Sequence, residues 1–456
     1  MEIKLDLSRK YGIFEGFGAS GAWWAQEVGG WEHTDIESGI SVRDRISELL
    51  YSKEKGIGLR TYRYNIGAGS AHSGNSDIGN PLRRTESFDK GNGEYDFSRD
   101  KNAVYMMKQA AKDGADEIIL FVNSPVERLT KNGRSHLGKR QIMRDNLSRK
   151  NYRAFARYCL DVTEHFVKEG LPVKYLSPVN EPIWIWNGGQ EGCHYSPISA
   201  ARVMKCFADE LAQRKALKDV KLSGVESGDL RWFNKSYTRA LMHYKSVREK
   251  IDAVDVHSYC LPLPIPLPGF NDRVAFIRRY RKWLDKHYPG LEVKMSEWCH
   301  MQGGRDKSMA SALVMANVIY EDISILNVSS WQHWIAVSEV DYCDGLIYIN
   351  LEDKSFEMTK RYYVTGNFSK YIPFDAEKTG VICEDKDLKA LAFCKDREKV
   401  LVIINDTDKT KKITLSDMKN GGQIIITDEN NDLTHKTLYE NTVDISAKSV
   451  STVIFE

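Results

Sequence analysis

Paired cysteines are missing from this chain of 456 residues: its eight cysteines include no C-x-x-C spacing. A disulfide scaffold needs cysteine density and a zinc ribbon needs paired ligands, so free thiols are expected. No run approaches 18 apolar residues, and no membrane-spanning helix or membrane partner is expected. An excess of either charge is missing too, since 65 Lys and Arg against 63 Asp and Glu leave +2. That excludes a polyanion binder driven by bulk charge, and no nucleic-acid partner is expected, although a local basic patch stays compatible. No glycine-rich phosphate loop follows a strand, so nucleotide binding lacks its cradle. The opening Met1-Glu2-Ile3-Lys4-Leu5-Asp6 alternates charge and apolar side chains where a leader would carry an apolar core. The chain is accordingly expected in the cytoplasm, or secreted with its leader replaced by Met1. Repeats and low-complexity tracts are absent.

What is present is an ordinary globular composition, 42% apolar and 28% charged, with ample material for a core. The length corresponds to about three domains at ~150 residues each, although one α/β barrel runs to ~250 residues or more. Aromatics are the informative excess, with ten Trp and 22 Tyr. Most such rings pack in cores, but clusters in loops after strands form flat platforms suited to the apolar face of a sugar.

From about residue 12 to 370, short β-like runs alternate with helical stretches, the pattern of a parallel sheet with crossover helices. Eight strands are predicted: Gly12 to Ala19, Leu59 to Ile66, Glu117 to Asn123, Val173 to Val179, Lys221 to Glu226, Ala253 to Tyr259, Glu292 to Glu297 and Val328 to Ile335. Between them Asn151 to Gly170 carries Phe155, Cys159, Val162, Phe166 and Val167 at three- and four-residue spacing, with Gly170 as a stop. Ser196-Pro197 opens a second helix and Ser308 to Leu326 forms a third. Eight strand–helix units in order predict a (β/α)8 TIM barrel, the alternative being a doubly wound open sheet. After about residue 371 the period changes to two, with runs such as Val400 to Ile404, Gln423 to Thr427 and Val450 to Ile454 between polar turns. That predicts an all-β sandwich, residues 371–456, packed beside the barrel and completed by residues 1–11.

In such a barrel the active site lies at the carboxy ends of the strands. Glu181 follows strand four in Val179-Asn180-Glu181-Pro182, and Glu297 ends strand seven in Met295-Ser296-Glu297-Trp298. Pro182 blocks further ladder pairing and fixes the direction of Glu181. Glycoside hydrolysis needs such a pair, a carboxylic acid to protonate the leaving oxygen and a carboxylate opposite it. A gap of ~5 Å permits direct attack and retention, whereas ~6.5–9.5 Å admits a water and gives inversion.

These segments resemble glycoside hydrolase family 30, in the clan of retaining (β/α)8 glycosidases, over nearly the whole chain. Glu15-Gly16-Phe17-Gly18-Ala19-Ser20 resembles the family's first strand and Leu59-Arg60-Thr61-Tyr62-Arg63 its second. Leu120-Phe121-Val122-Asn123-Ser124-Pro125, Val256-His257-Ser258-Tyr259 and Trp331-Gln332-His333-Trp334 match the third, sixth and eighth. Tyr362 to Tyr371 resembles the segment leading into the family's β domain. The resemblance implies that Glu181 is the general acid/base and Glu297 the nucleophile, with no cofactor, because both steps need only carboxylates and water. An acid protonated near neutral pH should sit among apolar groups or beside another carboxylate, while the nucleophile should stay ionised, helped by Arg63 and the Tyr259 hydroxyl.

The same resemblance places Asn123 in the sugar site and gives Asn180 the sugar 2-hydroxyl. His257 is either a site residue or a satisfied barrel-core imidazole. Trp331 is assigned to packing and Trp334 to the floor of the sugar site. Trp23-Trp24 after strand one, and Trp184-Ile185-Trp186-Asn187-Gly188-Gly189-Gln190-Glu191-Gly192-Cys193-His194 after the acid/base, resemble the family branch of endo-β-1,6-galactanases. Glu191 there either accepts from ligand hydroxyls or is a solvated loop residue. One departure is Val126-Glu127-Arg128 after Ser124-Pro125, where many members carry aromatics, and it weakens a glucosylceramide- or xylan-type pocket. The expected function is a retaining β-glycosidase on an oligo- or polysaccharide, most closely β-1,6-galactan. Alternatives within the family are β-1,6-glucanase, xylanase, β-xylosidase, β-fucosidase and glucosylceramidase-like activities, and outside it a non-catalytic carbohydrate-binding protein. A metal-dependent hydrolase using Cys193, His194, Cys299 and His300 is disfavoured, since adjacent Cys-His pairs do not easily ligate one ion, and no metal is expected.

Overall fold

The computed structural model describes residues 1–74, 76–138, 144–231, 234–260, 272–419 and 421–456. Eight barrel strands alternate with helices: β1 (Gly16–Ser20), β2 (Thr61–Asn65), β3 (Glu117–Phe121), β4 (Val173–Ser177), β5 (Lys221–Leu222), β6 (Ala253–His257), β7 (Glu292–Trp298) and β8 (Ser330–Ser338). With the separate nine-stranded sheet described below, the fold is a (β/α)8 barrel with an all-β sandwich. The helices fall where the periodicity and caps place them. Tyr152–Lys168 buries Phe155, Cys159, Val162 and Phe166 and is followed by Gly170 at φ +85°. Pro197–Leu211 is capped by the Ser196 hydroxyl, which accepts from the Ser199 N–H.

Packing divides the chain into two compact units, Ser20–Ser47 with Thr61–Glu297, and Met1–Ala19 with Glu48–Arg60 and Trp298–Glu456. The first holds the parallel ladder β2–β3–β4–β5 and the pair β6–β7. Every residue of β2, β3 and β6 is buried, as expected of parallel strands covered on both faces. Strand five is shorter than the sequence suggests. Among the described residues, the segment beyond Leu222 forms the isolated parallel bridges Asn180–Glu226 and Ser227–Val256 in place of a continuous ladder, so Glu226 ends an irregular edge.

The second unit shows why packing departs from a division at residue 370. Helices Met309–Glu321 and Lys360–Ser369 pack on strands of the nine-stranded sheet. Strand Glu398–Asn405 therefore buries both faces: Leu401 and Ile403 enter a core with Ile3, Ile413, Ile424 and Val453, while Val400, Val402 and Ile404 are buried as well. The continuous apolar run Val400 to Ile404 follows from that double burial. The amino-terminal strand Glu2–Phe14 pairs antiparallel with Ala376–Cys383 and, through Glu2 and Ile3, parallel with Lys411–Leu415. Beside β8 two strands go beyond the sequence reading, Gly345–Ile349 parallel to β8 and Phe356–Met358 antiparallel to Gly345–Ile349. The stretch Met309–Leu326 is also long and apolar enough to cross a bilayer, contrary to expectation, but 61% of it is buried within the protein. The eight cysteines are free thiols.

Candidate active site

Two local irregularities bring the acidic side chains together. After β4, the Glu181 N–H donates to the Glu226 carbonyl at 2.8 Å, and its own carbonyl accepts from the Trp186 indole N–H at 3.0 Å. Those bonds hold Glu181 at φ +41°, a left-handed conformation that costs a non-glycine residue about 1–2 kcal/mol and concentrates at functional positions. On β7 the ladder to β6 slips between Met295 and Glu297. A bulge of this kind re-aims side chains, and here consecutive residues reach the same cluster. Ser296 donates to Glu226 at 3.3 Å, while Glu297 accepts from Arg63 at 3.3 Å and from the Tyr259 hydroxyl at 3.2 Å.

His257 sits between the acids. Its Nδ1 lies 2.9 Å from Glu181 Oε1 and 3.4 Å from Glu297 Oε1, and its Nε2 lies 2.8 Å from Glu226 Oε2. One oxygen each of Glu181 and Glu297, with a ring nitrogen of His257, lie within 4.8 Å of one another. Both imidazole nitrogens thus face carboxylates, the pattern of an imidazolium donating twice, and neither offers a metal its lone pair. Burial alone would push the His257 pKa down. The charges of Glu297, Glu181 and Glu226 outweigh it and raise the value to about 10.

Burial and the neighbouring Glu181 charge raise Glu297 to about 7, against the pull of His257 and Arg63. The sequence reading expected the raised carboxyl at the acid/base. The physical reason is position: Glu297 is only 5% exposed and is flanked by two further carboxylates, Glu181 and Glu226. Glu297 and its neighbouring acids are therefore coupled, and protons come off the group in steps that belong to the cluster and not to one residue.

The other sequence-assigned residues divide into two groups. Asn123 and Asn180 are buried, and the Asn180 amide donates to Asn123 at 3.0 Å, which leaves Asn180 Oδ1 buried with no partner among the described residues. Trp24, expected to face a sugar, is fully buried and donates its indole N–H to the Ser20 carbonyl at 2.9 Å, so it packs the core. Trp23 is 7% exposed, with the Arg83 guanidinium 4.7 Å from its ring centroid. Trp334 lies on β8 and is 9% exposed, and Trp331 is fully buried with its indole N–H on Asp322 at 3.0 Å.

Glu191 is neither a solvated loop residue nor free to accept from a ligand. Its oxygens are taken by the Ala68 N–H at 3.1 Å, the Ser70 N–H at 3.1 Å, the Thr85 hydroxyl at 2.6 Å and the Ser70 hydroxyl. The side chain clasps the loop after β2 to the loop after β4. Glu191→Ala leaves those buried N–H groups without an acceptor and is expected to cost about 3 kcal/mol in chemical denaturation, with KM little changed. A large rise in KM at unchanged stability would return Glu191 to substrate binding.

Two residues escaped the sequence reading. Glu226 is fully buried and accepts from Arg63 at 2.6 Å as well as from His257 and Ser296. The strand-end rule that found Glu181 and Glu297 applies equally to it. Gly228 is the second: a Cβ there would lie 2.4 Å from Trp184 Nε1 and 2.9 Å from Glu181 Oε1, so only glycine lets both groups close over that point.

Comparison with known proteins agrees with this architecture. The profile of O-Glycosyl hydrolase family 30 matches residues 1–348. An endo-β-1,6-galactanase of Hypocrea rufa is 26% identical over 398 residues, 81% of this chain and 74% of that protein. Among solved structures, a conserved exported protein from Bacteroides fragilis has a TM-score of 0.87 at 23% identity, with 100% of each chain covered. The catalytic domain of GH30 xylanase C from Talaromyces cellulolyticus has a TM-score of 0.77 at 18% identity, again with 100% of each chain covered. Both likenesses show the fold.

Proposed function

The chain belongs to O-glycosyl hydrolase family 30, and from that premise we propose that it cleaves β-1,6-linked galactan with retention of anomeric configuration. The observation that carries the mechanism is the gap between the catalytic oxygens, within 4.8 Å. That spacing suits direct attack by a carboxylate and is too narrow for an intervening nucleophilic water.

In the first step a Glu297 carboxylate oxygen forms a bond to the anomeric carbon. The bond from that carbon to the leaving oxygen breaks, and Glu181 gives its proton to that oxygen. In the second step Glu181, now a carboxylate, takes a proton from water as the water oxygen attacks the anomeric carbon and frees Glu297. Arg63 and Tyr259 donate to Glu297, and these donors favour its ionised form when the proton resides on Glu181. Asn180, turned by Asn123 so that its Oδ1 stays unpartnered, is placed in this reading to accept from the sugar 2-hydroxyl. Such a contact strengthens as positive charge grows on the ring.

Galactan as substrate is supported by the Hypocrea rufa relative and by the loop sequences after β1 and β4. A non-catalytic carbohydrate-binding role has no use for two enclosed carboxylates held in this register. The test of substrate is a screen of purified protein on β-1,6-galactan, β-1,6-glucan, xylan and aryl β-glycosides, with product sizing. Galacto-oligosaccharides released from β-1,6-galactan alone are expected, and faster release from β-1,6-glucan or xylan would replace galactan by that polymer.

A further inference from the structure

Glu226 takes no part in the two steps above, yet it is as deeply placed as any charged group in the barrel. Its carboxylate meets Arg63 from β2 at 2.6 Å, His257 from β6 at 2.8 Å and Ser296 from β7 at 3.3 Å. The two cations it holds are the same two that reach the catalytic pair, Arg63 to Glu297 and His257 to both Glu181 and Glu297. We propose that Glu226 is a positioning residue: it fixes Arg63 and His257 and supplies the negative charge that keeps one proton on the Glu181–Glu297 pair. The inference rests on the retaining reading given above.

The charge count around Glu226 supports this. Arg63 faces it from β2, Glu181 lies beside it after β4, Asp255 and His257 come from β6, and Glu297 and Lys294 from β7. Asp255 accepts from Ser223; burial and the Glu226 charge raise it to about 7 against the pull of Ser223, Lys294 and Arg63, so it shares the cluster's demand for a proton with Glu297. Four carboxylates, Glu181, Glu226, Asp255 and Glu297, thus stand against three cations, Arg63, His257 and Lys294. One proton neutralises the cluster. In a buried site an unbalanced charge is strongly disfavoured, so the cluster holds that proton at neutral pH, where the acid/base step requires it. His257 has a second dependence on Glu226. With Nε2 facing a carboxylate, the ring keeps that nitrogen protonated and holds Nδ1 toward Glu181, the same logic by which a buried acid orients a catalytic imidazole.

Glu226→Gln preserves shape and removes the charge. The remaining carboxylates then balance the cations without an added proton, so both limbs of the kcat/KM profile on the natural linkage, whose departure needs the acid's proton, move to lower pH. The optimum is expected to fall by about one unit, and Glu226→Asp, which keeps the charge, is expected to hold the optimum of the parent enzyme. Loss of activity with an unmoved optimum in Glu226→Gln would reduce Glu226 to a structural prop and overturn the proposal. A measurement on the unaltered protein decides independently of whether the variant folds. Nitrogen NMR of His257 at pH 7 should find both ring nitrogens protonated, and a singly protonated ring there overturns the proposal as well. Glu297→Ala with near-normal turnover would instead remove the retaining reading itself, so the two failures are distinct.

Discussion

Replacing Glu297 with alanine is expected to lower turnover by at least about ten-thousand-fold, or about 5.5 kcal/mol of transition-state stabilisation. The size follows from what is removed. Without the carboxylate no covalent intermediate forms, and the space left beside Arg63 and Tyr259 keeps donors 3.3 and 3.2 Å from where its oxygens lay. Those donors suit a small anion, so azide is expected to restore part of the turnover by attacking the anomeric carbon from the vacated side, giving a glycosyl azide of inverted configuration. Residual activity within tenfold of the parent would exclude Glu297 as nucleophile. The fall belongs to chemistry and not to folding if the melting transition of the variant stays close to that of the parent.

Glu181→Gln has a different signature. Glutamine keeps the contact to His257 and the backbone bonds to Glu226 and Trp186 but carries no proton to give. For the natural linkage, whose leaving oxygen is a poor leaving group, kcat/KM is expected to fall about a thousand-fold or more. For a dinitrophenyl glycoside, whose leaving group departs without help, kcat/KM should stay within about tenfold. Equal losses on both substrates would argue that Glu181 binds or positions and does not transfer the proton.

Glu181 and Glu297 stood out in the sequence as a candidate pair because each follows or ends an apolar strand and one is fixed by a following proline. Their mutual distance was not legible there, since it depends on a ladder slip between Met295 and Glu297 and on a left-handed Glu181, neither of which leaves a periodicity signal. Glu226 ends the predicted fifth strand and was open to the same rule, although the regular ladder stops at Leu222. Trp24 and Glu191 show the opposite error. A tryptophan after a strand and a glutamate in a loop rich in glycine read as ligand contacts, yet one fills the core and the other is consumed by four protein donors. Side-chain type marks the chemistry a residue is able to perform, and only packing decides whether its polar atoms are already spent. The same limit explains the proton balance. Expecting the acid alone to be raised ignored that Glu297 is enclosed beside two other acids, information carried by three strands far apart along the chain.

The most direct measurement is covalent trapping. Purified protein incubated with an activated 2-deoxy-2-fluoro galactoside should gain the mass of one fluoro-galactosyl group, and peptide mapping should place it on Glu297. A label on another carboxylate, or steady turnover with no adduct and a product of inverted configuration, would contradict a nucleophile facing its acid across less than 5 Å.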